Sequence, residues 1–230
     1  DPEDEYSDIG RAFGAQMVDI SIGSKTHINL LDLPDLDRLD DEDDDPIGDK
    51  ANLLMGLFES ILSEVTDAQI GIIDRVTGMT YERYLTEDFT PTLKEWHQVL
   101  KEQPEPEAQD LALAVETYTK GSQDIFAHNT NVDLNHRFVI FNLKKLSHKL
   151  KPFALMVIQD YIWNQIVENQ GKCTTWVYFD EMQILFKNKA QADFFTTLYS
   201  RIRKYGAIPT GITQNVETLA AVEEGRKLLS

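Results

Sequence analysis

The stretch that decides the fold is "TTWVYFDEMQILF", residues 174–186. Four apolar or aromatic residues, Trp176-Val177-Tyr178-Phe179, run straight into two carboxylates, Asp180 and Glu181. A short apolar run without polar alternation reads as a strand of a parallel sheet covered on both faces. In open parallel sheets ligands bind beyond the carboxyl ends of the strands, which is where these two acids fall.

Working outward, the C-terminal half alternates strand and helix. "RFVIFNL" (137–143) is a strand, and 149–168 is a helix apolar on most faces and therefore buried. "KAQADFFTTLYSRIRKYG" (189–206) is a helix with Phe195, Leu198, Tyr199 and Ile202 inward and Gly206 as its stop. "AIPTGIT" (207–213) is a further strand. Strand, helix, strand, helix, strand is the order of a doubly wound parallel sheet.

The N-terminal half is organised differently. Residues 5–13 form a short helix closed by Gly14, and Gln16–Ser21 and Ile28–Leu31 read as short strands. "LPDLDRLDDEDDDP" (33–46) repels itself and reads as a solvated loop; its acids lack the spacing and the turn glycine of a Ca²⁺-binding EF-hand. From 47 onward the period changes. Leu54, Leu57, Phe58, Ile61, Leu62 and Val65 mark one helical face. A second helix starts near Thr92, capped by Thr90 or Thr92, and a third carries Pro106 in its first turn with Leu111, Val115 and Tyr118 inward. Residues 47–128 are thus a helical block inserted into an α/β core made of 1–46 and 129–230.

Composition narrows the function classes. The chain has 230 residues, 42% hydrophobic, and a formal net charge of -17. So acidic a chain does not attract nucleic acid or anionic membrane in bulk. One cysteine, Cys173, excludes an internal disulfide framework and leaves the compartment open, favouring a reducing one. No apolar segment is long enough to span a bilayer. His27, His97, His128, His136 and His148 are scattered without metal-ligand spacing. Trp96 and Trp163 read as core residues. The chain opens on Asp1-Pro2 without an initiator methionine, which predicts a natural start upstream.

The candidate site residues follow from the sheet. Asp180 and Glu181 end one strand, Gln214 follows the next, and Asp1 to Glu5 lie where an earlier strand would end. Acids and an amide converging on one sheet edge suit a metal–nucleotide complex. Glu5 and Gln214 are the candidate nucleotide-binding residues. The alternative for the acid pair is a strand that simply exits to solvent. Arg201 and Arg203, with Lys204, close a helix. They are either arginine fingers for a neighbouring subunit's phosphate or cations favoured by the helix dipole, worth about 0.3–1 kcal/mol each.

Several segments occur in one order: "DPEDEYSDIGRAFGAQMVDIS", "INLLDL", "IIDRVTGMTYERY", "PTLKEWHQVL", "EAQDLALAVETYTKGSQDIFAHNTNVDL", "RFVIFNLKKL", "WVYFDEMQILF" and "RIRKYGAIPTGITQNVETL". Together they resemble the ATPase domain of the conjugative-transfer, type IV secretion ATPases of the VirB subunit-four class, in the FtsK/HerA branch of the RecA-like P-loop motors. "TNVDL" and "RKYGAIPTGITQN" are the more specific parts.

The resemblance implies an α/β RecA-like P-loop NTPase core with an inserted all-α subdomain. It implies that Asp180 is the Walker B aspartate holding Mg²⁺, that Glu181 is the catalytic base, and that Gln214 senses ATP. It implies trans-acting arginines in the region of Arg201 and Arg203. It also implies a homo-oligomer, a hexamer, that works with other type IV secretion subunits on a DNA or protein substrate. That assembly would stand in the cytoplasm at the inner face of a bacterial membrane, associated peripherally through its partners. The two alternatives are a DNA-translocating motor of the same superfamily and a non-catalytic interaction module. One departure is large: no G-x-x-x-x-G-K-[ST] occurs in the 230 residues. The family carries that loop just before the strand ending in "DPEDEY". The phosphate cradle is therefore expected upstream of residue 1, and the chain by itself is expected to be inactive.

Overall fold

A computed structural model describes residues 4–35, 45–86, 89–132, 136–147, 150–186 and 189–229. The first three residues, most of the acidic run (36–44) and part of "TNVDL" (133–134) lie outside the described residues. Two parallel strand pairs and a set of helices make up the rest. β1 (Gln16–Asp19) pairs with β2 (Val139–Asn142), Gln16 opposite Val139. β3 (Thr175–Phe179) pairs with β4 (Ala207–Gly211), Thr175 opposite Ala207. Parallel partners need crossovers. The β3–β4 crossover is a short 3-10 helix (Met182–Phe186) and α7 (Lys189–Lys204), and α7 turns into β4 at Gly206, whose φ of +78° suits glycine.

Between the pairs the sheet is open. A cavity of about 1480 Å³ is lined by β2, β3, α1 (Ser7–Ala12) and α6 (Leu150–Asn169). β3 was expected to be covered on both faces. Instead Val177 and Phe179 are buried while Trp176 and Tyr178 are 58% and 63% exposed. The buried pair packs with α7, and the exposed pair lines the open cavity.

The helical stretch starts at α2 (Pro46–Ile61), where Asp45 accepts from the Gly48 N–H and Pro46 fills the first turn. α2 ends at Ile61, and a helix not foreseen from apolar spacing follows, α3 (Asp67–Tyr84). Thr66 and Gln69 cap it reciprocally. α4 (Leu93–Lys101) starts with the same device between Thr92 and Glu95, and α5 (Pro106–Thr119) with Pro106. Ile28–Leu31, expected as a strand, is instead buried irregular backbone. Asn29 holds it: its N–H donates to Thr130 Oγ1 at 2.7 Å and its side chain donates to the Pro91 carbonyl at 2.9 Å. The apolar run is buried, but side chains rather than a neighbouring strand take its polar groups.

α6 links the two halves of the core. Its first part packs with α2–α5 and residues 18–31, where Trp96 is fully buried and donates to Thr77 Oγ1 at 3.1 Å. Its last part, Trp163, Ile166 and Val167, packs with β3, α7 and β4. Two neighbouring residues fasten α2 across this junction. Lys50 makes a buried ion pair with Asp160 of α6 at 2.5 Å, and Asp49 pairs with Arg201 of α7 at 2.8 Å. The chain ends in α8 (Val216–Ala220) and α9 (Glu223–Leu229). Among the described residues no helix is long and apolar enough to cross a membrane.

Candidate functional site

The carboxyl ends of β3 and β4 are stapled by backbone. The Ile212 N–H donates to the Phe179 carbonyl at 2.8 Å, and the Met182 N–H donates to the Ile212 carbonyl at 2.9 Å. Between these bonds the chain must reverse from strand into the 3-10 helix. Glu181 makes the reversal in the left-handed region, at φ +51°. That conformation is uncommon for a residue with a side chain and recurs at functional turns. Its N–H donates to Asp180 Oδ1 at 2.9 Å, so the first acid helps hold the turn that presents the second.

The Glu181 carboxylate takes one amide on each oxygen. Gln214 Nε2 donates to Oε1 and Gln183 Nε2 donates to Oε2. Gln183 in turn accepts from Thr213 Oγ1 at 2.7 Å. Asp180 has a different neighbour. Tyr6, at the start of α1, hydrogen-bonds to it. Partial burial, with the carboxylates of Asp180 and Glu5 close by, pushes the Tyr6 hydroxyl above its ordinary pKa. It therefore stays protonated and donates to Asp180. Next to it Asp4 accepts from Asn142, the last residue of β2, at 2.9 Å and from Ser7. Tyr6, Asp180 and Glu181 all line the large cavity.

Three of the residues anticipated from sequence, Asp180, Glu181 and Gln214, thus meet at one sheet edge. Glu5 is exposed beside Tyr6. Arg201 and Arg203 stand elsewhere in the chain. Arg201 lines a separate cavity of about 350 Å³ with Asp49 and Trp163, and its guanidinium lies 4.5 Å from the centre of the Trp163 ring. Arg203 is exposed at the end of α7. Sequence reasoning missed Gln183, Thr213 and Tyr6. Tyr6 could have been found from its place after the first acids, whereas nothing in the spacing marks Gln183.

Glu181 is held by two side-chain amides, and Asp180 by its own turn and Tyr6, an arrangement of hard oxygen acceptors that suits a cation or a water proton. Among the described residues no group of three or more His, Cys, Asp or Glu could by itself hold a metal ion. The carboxylate oxygens of Asp180 and Glu181 are donors of the kind Mg²⁺ takes, which is one or two carboxylates with waters and substrate phosphates.

The sequence profile of the TraG P-loop domain matches residues 64–223, well over half of the chain. The chain belongs to the TraG P-loop domain family. Among solved structures it is similar to VirB4 of Thermoanaerobacter pseudethanolicus, with a TM-score of 0.83 and 22% identity, covering 100% of this chain and 66% of that one. At that identity the likeness establishes the fold, a RecA-like P-loop NTPase core. The chain spans just under two thirds of that protein's length. A more distant likeness is to the plasmid coupling protein TrwB in complex with the ATP analogue ADPNP, at TM-score 0.47 and 14% identity over 98% of this chain and 64% of that one. No curated protein matches.

Proposed function

We propose that this chain is part of an ATP-hydrolysing motor of conjugative transfer or type IV secretion, and that it supplies the water-activating half of the site. The observation that supports this most is the Glu181 carboxylate, turned out at the end of β3 and steadied by Gln183 and Gln214 next to Asp180. Glu181 orients the attacking water and takes its proton. Asp180, held by its own turn and by Tyr6, is the residue that would hold Mg²⁺. The metal would neutralise charge on the phosphates. Gln214, bonded to Glu181 from just past the end of β4, would contact the nucleotide and report it to the base. Glu5, exposed beside Tyr6 just before α1, would be a further contact to the nucleotide.

No G-x-x-x-x-G-K-[ST] loop to cradle the phosphates occurs in the 230 residues. The intact protein works as a homo-oligomer, a hexamer, with other secretion subunits at the cytoplasmic face of the membrane, moving DNA or protein. The helices of 47–128 form its inserted subdomain.

The test is Glu181→Gln in the full-length protein. ATP binding should persist with turnover abolished, because shape and the Mg²⁺ residue remain while the base is lost. Normal hydrolysis by this variant would remove Glu181 from the role. Absence of nucleotide binding by the full-length wild type would make the chain an interaction module.

A further inference from the structure

We propose that Gln183 is a positioning residue for Glu181, whose side-chain amide, oriented by Thr213, fixes where the catalytic carboxylate points. The proposal rests on the reading of Glu181 as the base.

The chemistry of the contacts gives the network a direction. An ionised carboxylate only accepts hydrogen bonds, so the group of Gln183 that faces it is the NH₂. The other end of that amide, Oε1, lies 2.7 Å from Thr213 Oγ1. A hydroxyl has one hydrogen. The alternative acceptor for it, the Asn215 carbonyl, is 3.3 Å away, so the shorter contact to Gln183 takes the proton. The Asn215 N–H then donates to Thr213 Oγ1 at 3.3 Å. Turning the Gln183 amide over would put its oxygen against a carboxylate and its NH₂ against a donating hydroxyl. The bond to Glu181 would become a repulsion, and the Thr213 hydroxyl would have to swing to its longer contact with the Asn215 carbonyl, so the carboxylate and the shorter hydroxyl contact together set the amide's orientation.

Glu181 needs such a guide. It sits at φ +51° on a turn between a strand and a single 3-10 segment, and its side chain is only half-buried. Packing alone does not fix a flexible carboxylate there. Of its two amide partners, Gln214 is also the residue assigned to the nucleotide. Whenever Gln214 turns to the nucleotide, Gln183 is the amide still on the base. The two glutamines therefore divide the work. Gln183 acts on the geometry of the chemical step, and Gln214 acts on binding as well. Thr213 lies next to Gln214 in sequence, so any shift of the β4 end passes to Glu181 through both amides.

The experiment uses the full-length protein and steady-state ATP hydrolysis. Gln183→Leu keeps bulk and removes the amide. It should lower kcat by about 10–100-fold, the scale of a reacting group misplaced by an ångström. KM for ATP should stay within about twofold, as for an interaction made only in the transition state. Thr213→Val should show a weaker loss of the same kind, and Thr213→Ser, which keeps the hydroxyl, should restore it. Unchanged kcat for Gln183→Leu, with Glu181→Gln inactive, overturns the positioning role and leaves the base assignment standing. A normal rate for Glu181→Gln overturns the base assignment itself. A matched rise in KM with unchanged kcat would place Gln183 in binding instead.

Discussion

Arg201 of α7 pairs with Asp49 of α2 at 2.8 Å while stacking 4.5 Å above the centre of the Trp163 ring on α6. One guanidinium therefore ties together three helices. The pair is partly exposed, so its Coulombic share is about 0.2–1 kcal/mol. The ring contact adds about 0.5–1 kcal/mol. Arg201→Ala should lower stability by about 1–2 kcal/mol, and thermal unfolding should show it as a fall of about 2–8 °C. Asp49→Asn should cost less, and the double variant less than the sum. Additive losses would mean that the two side chains do not act as a pair.

The neighbouring fastening is of another kind. Lys50 and Asp160 meet in the interior, where removing one partner strands the other. Lys50→Met should cost about 3–5 kcal/mol. Burial raises the Asp160 pKa above its ordinary value, with Lys50 working against that rise. Without Lys50 it should rise further. A carboxyl with a raised folded pKa binds more protons folded than unfolded, so its cost is absent below the unfolded value near 3.8 and grows as pH climbs through the folded value. The loss in Lys50→Met should therefore be larger at about pH 7 than at about pH 4. Denaturant midpoints at both pH values decide it, and a loss independent of pH would contradict the assignment to Asp160.

What could be read from the sequence was local. The strand ending in Asp180-Glu181, a threonine cap at 90 or 92 that the structure places at Thr92, and the buried helix read over 149–168 and found at Leu150–Asn169 all follow from spacing along a few turns. α3 escaped because Gly71, Thr77, Gly78 and Thr80 dilute its apolar stripe, although Thr66 and Gln69 spell its cap. Ile28–Leu31 misled because apolar residues are buried equally well by a loop that finds polar partners far away, here Thr130 and Pro91. Lys50–Asp160 joins residues 110 apart, and the hold of Gln183 on Glu181 depends on a left-handed turn; neither leaves a pattern in the sequence. The open face of β3 was equally invisible, since an apolar run reads alike whether or not a neighbour covers it.

Asp180 and Glu181 should separate cleanly in the full-length protein. Asp180→Ala removes the metal-holding carboxylate and the acceptor for both the Glu181 N–H and Tyr6. It should weaken Mg–ATP binding itself, whereas Glu181→Gln should spare it. Tyr6→Phe should fall between, with a loss of Mg²⁺ affinity of about 10-fold, the low end for outer partners of a metal-binding group. Titration with a fluorescent ATP analogue at varied Mg²⁺ measures all three. Equal affinity in Asp180→Ala and wild type would remove Asp180 from the metal.

The two arginines should part in the opposite sense. Arg201 is engaged within its own chain by Asp49 and Trp163. Arg203 is exposed at the end of α7, away from the cavity that its own Glu181 lines. Arg203, exposed rather than engaged in its own chain's helix junction, is therefore the one to test as a neighbour's finger. If it completes that neighbour's site, Arg203→Ala should leave folding and ATP affinity intact and lower kcat by about 10³–10⁵-fold, the range for arginine fingers. A partner of the helix dipole would instead cost under about 1 kcal/mol of stability and leave kcat nearly unchanged. Mixing decides whether the action is in trans. In a mixed oligomer of Arg203→Ala and Glu181→Gln subunits, some interfaces join the intact base of the first to the intact arginine of the second. Those interfaces should hydrolyse ATP although neither variant does so alone. Mixed oligomers with no activity would place the arginine's action inside its own subunit, and an Arg203→Ala protein with full kcat would return Arg203 to the helix dipole.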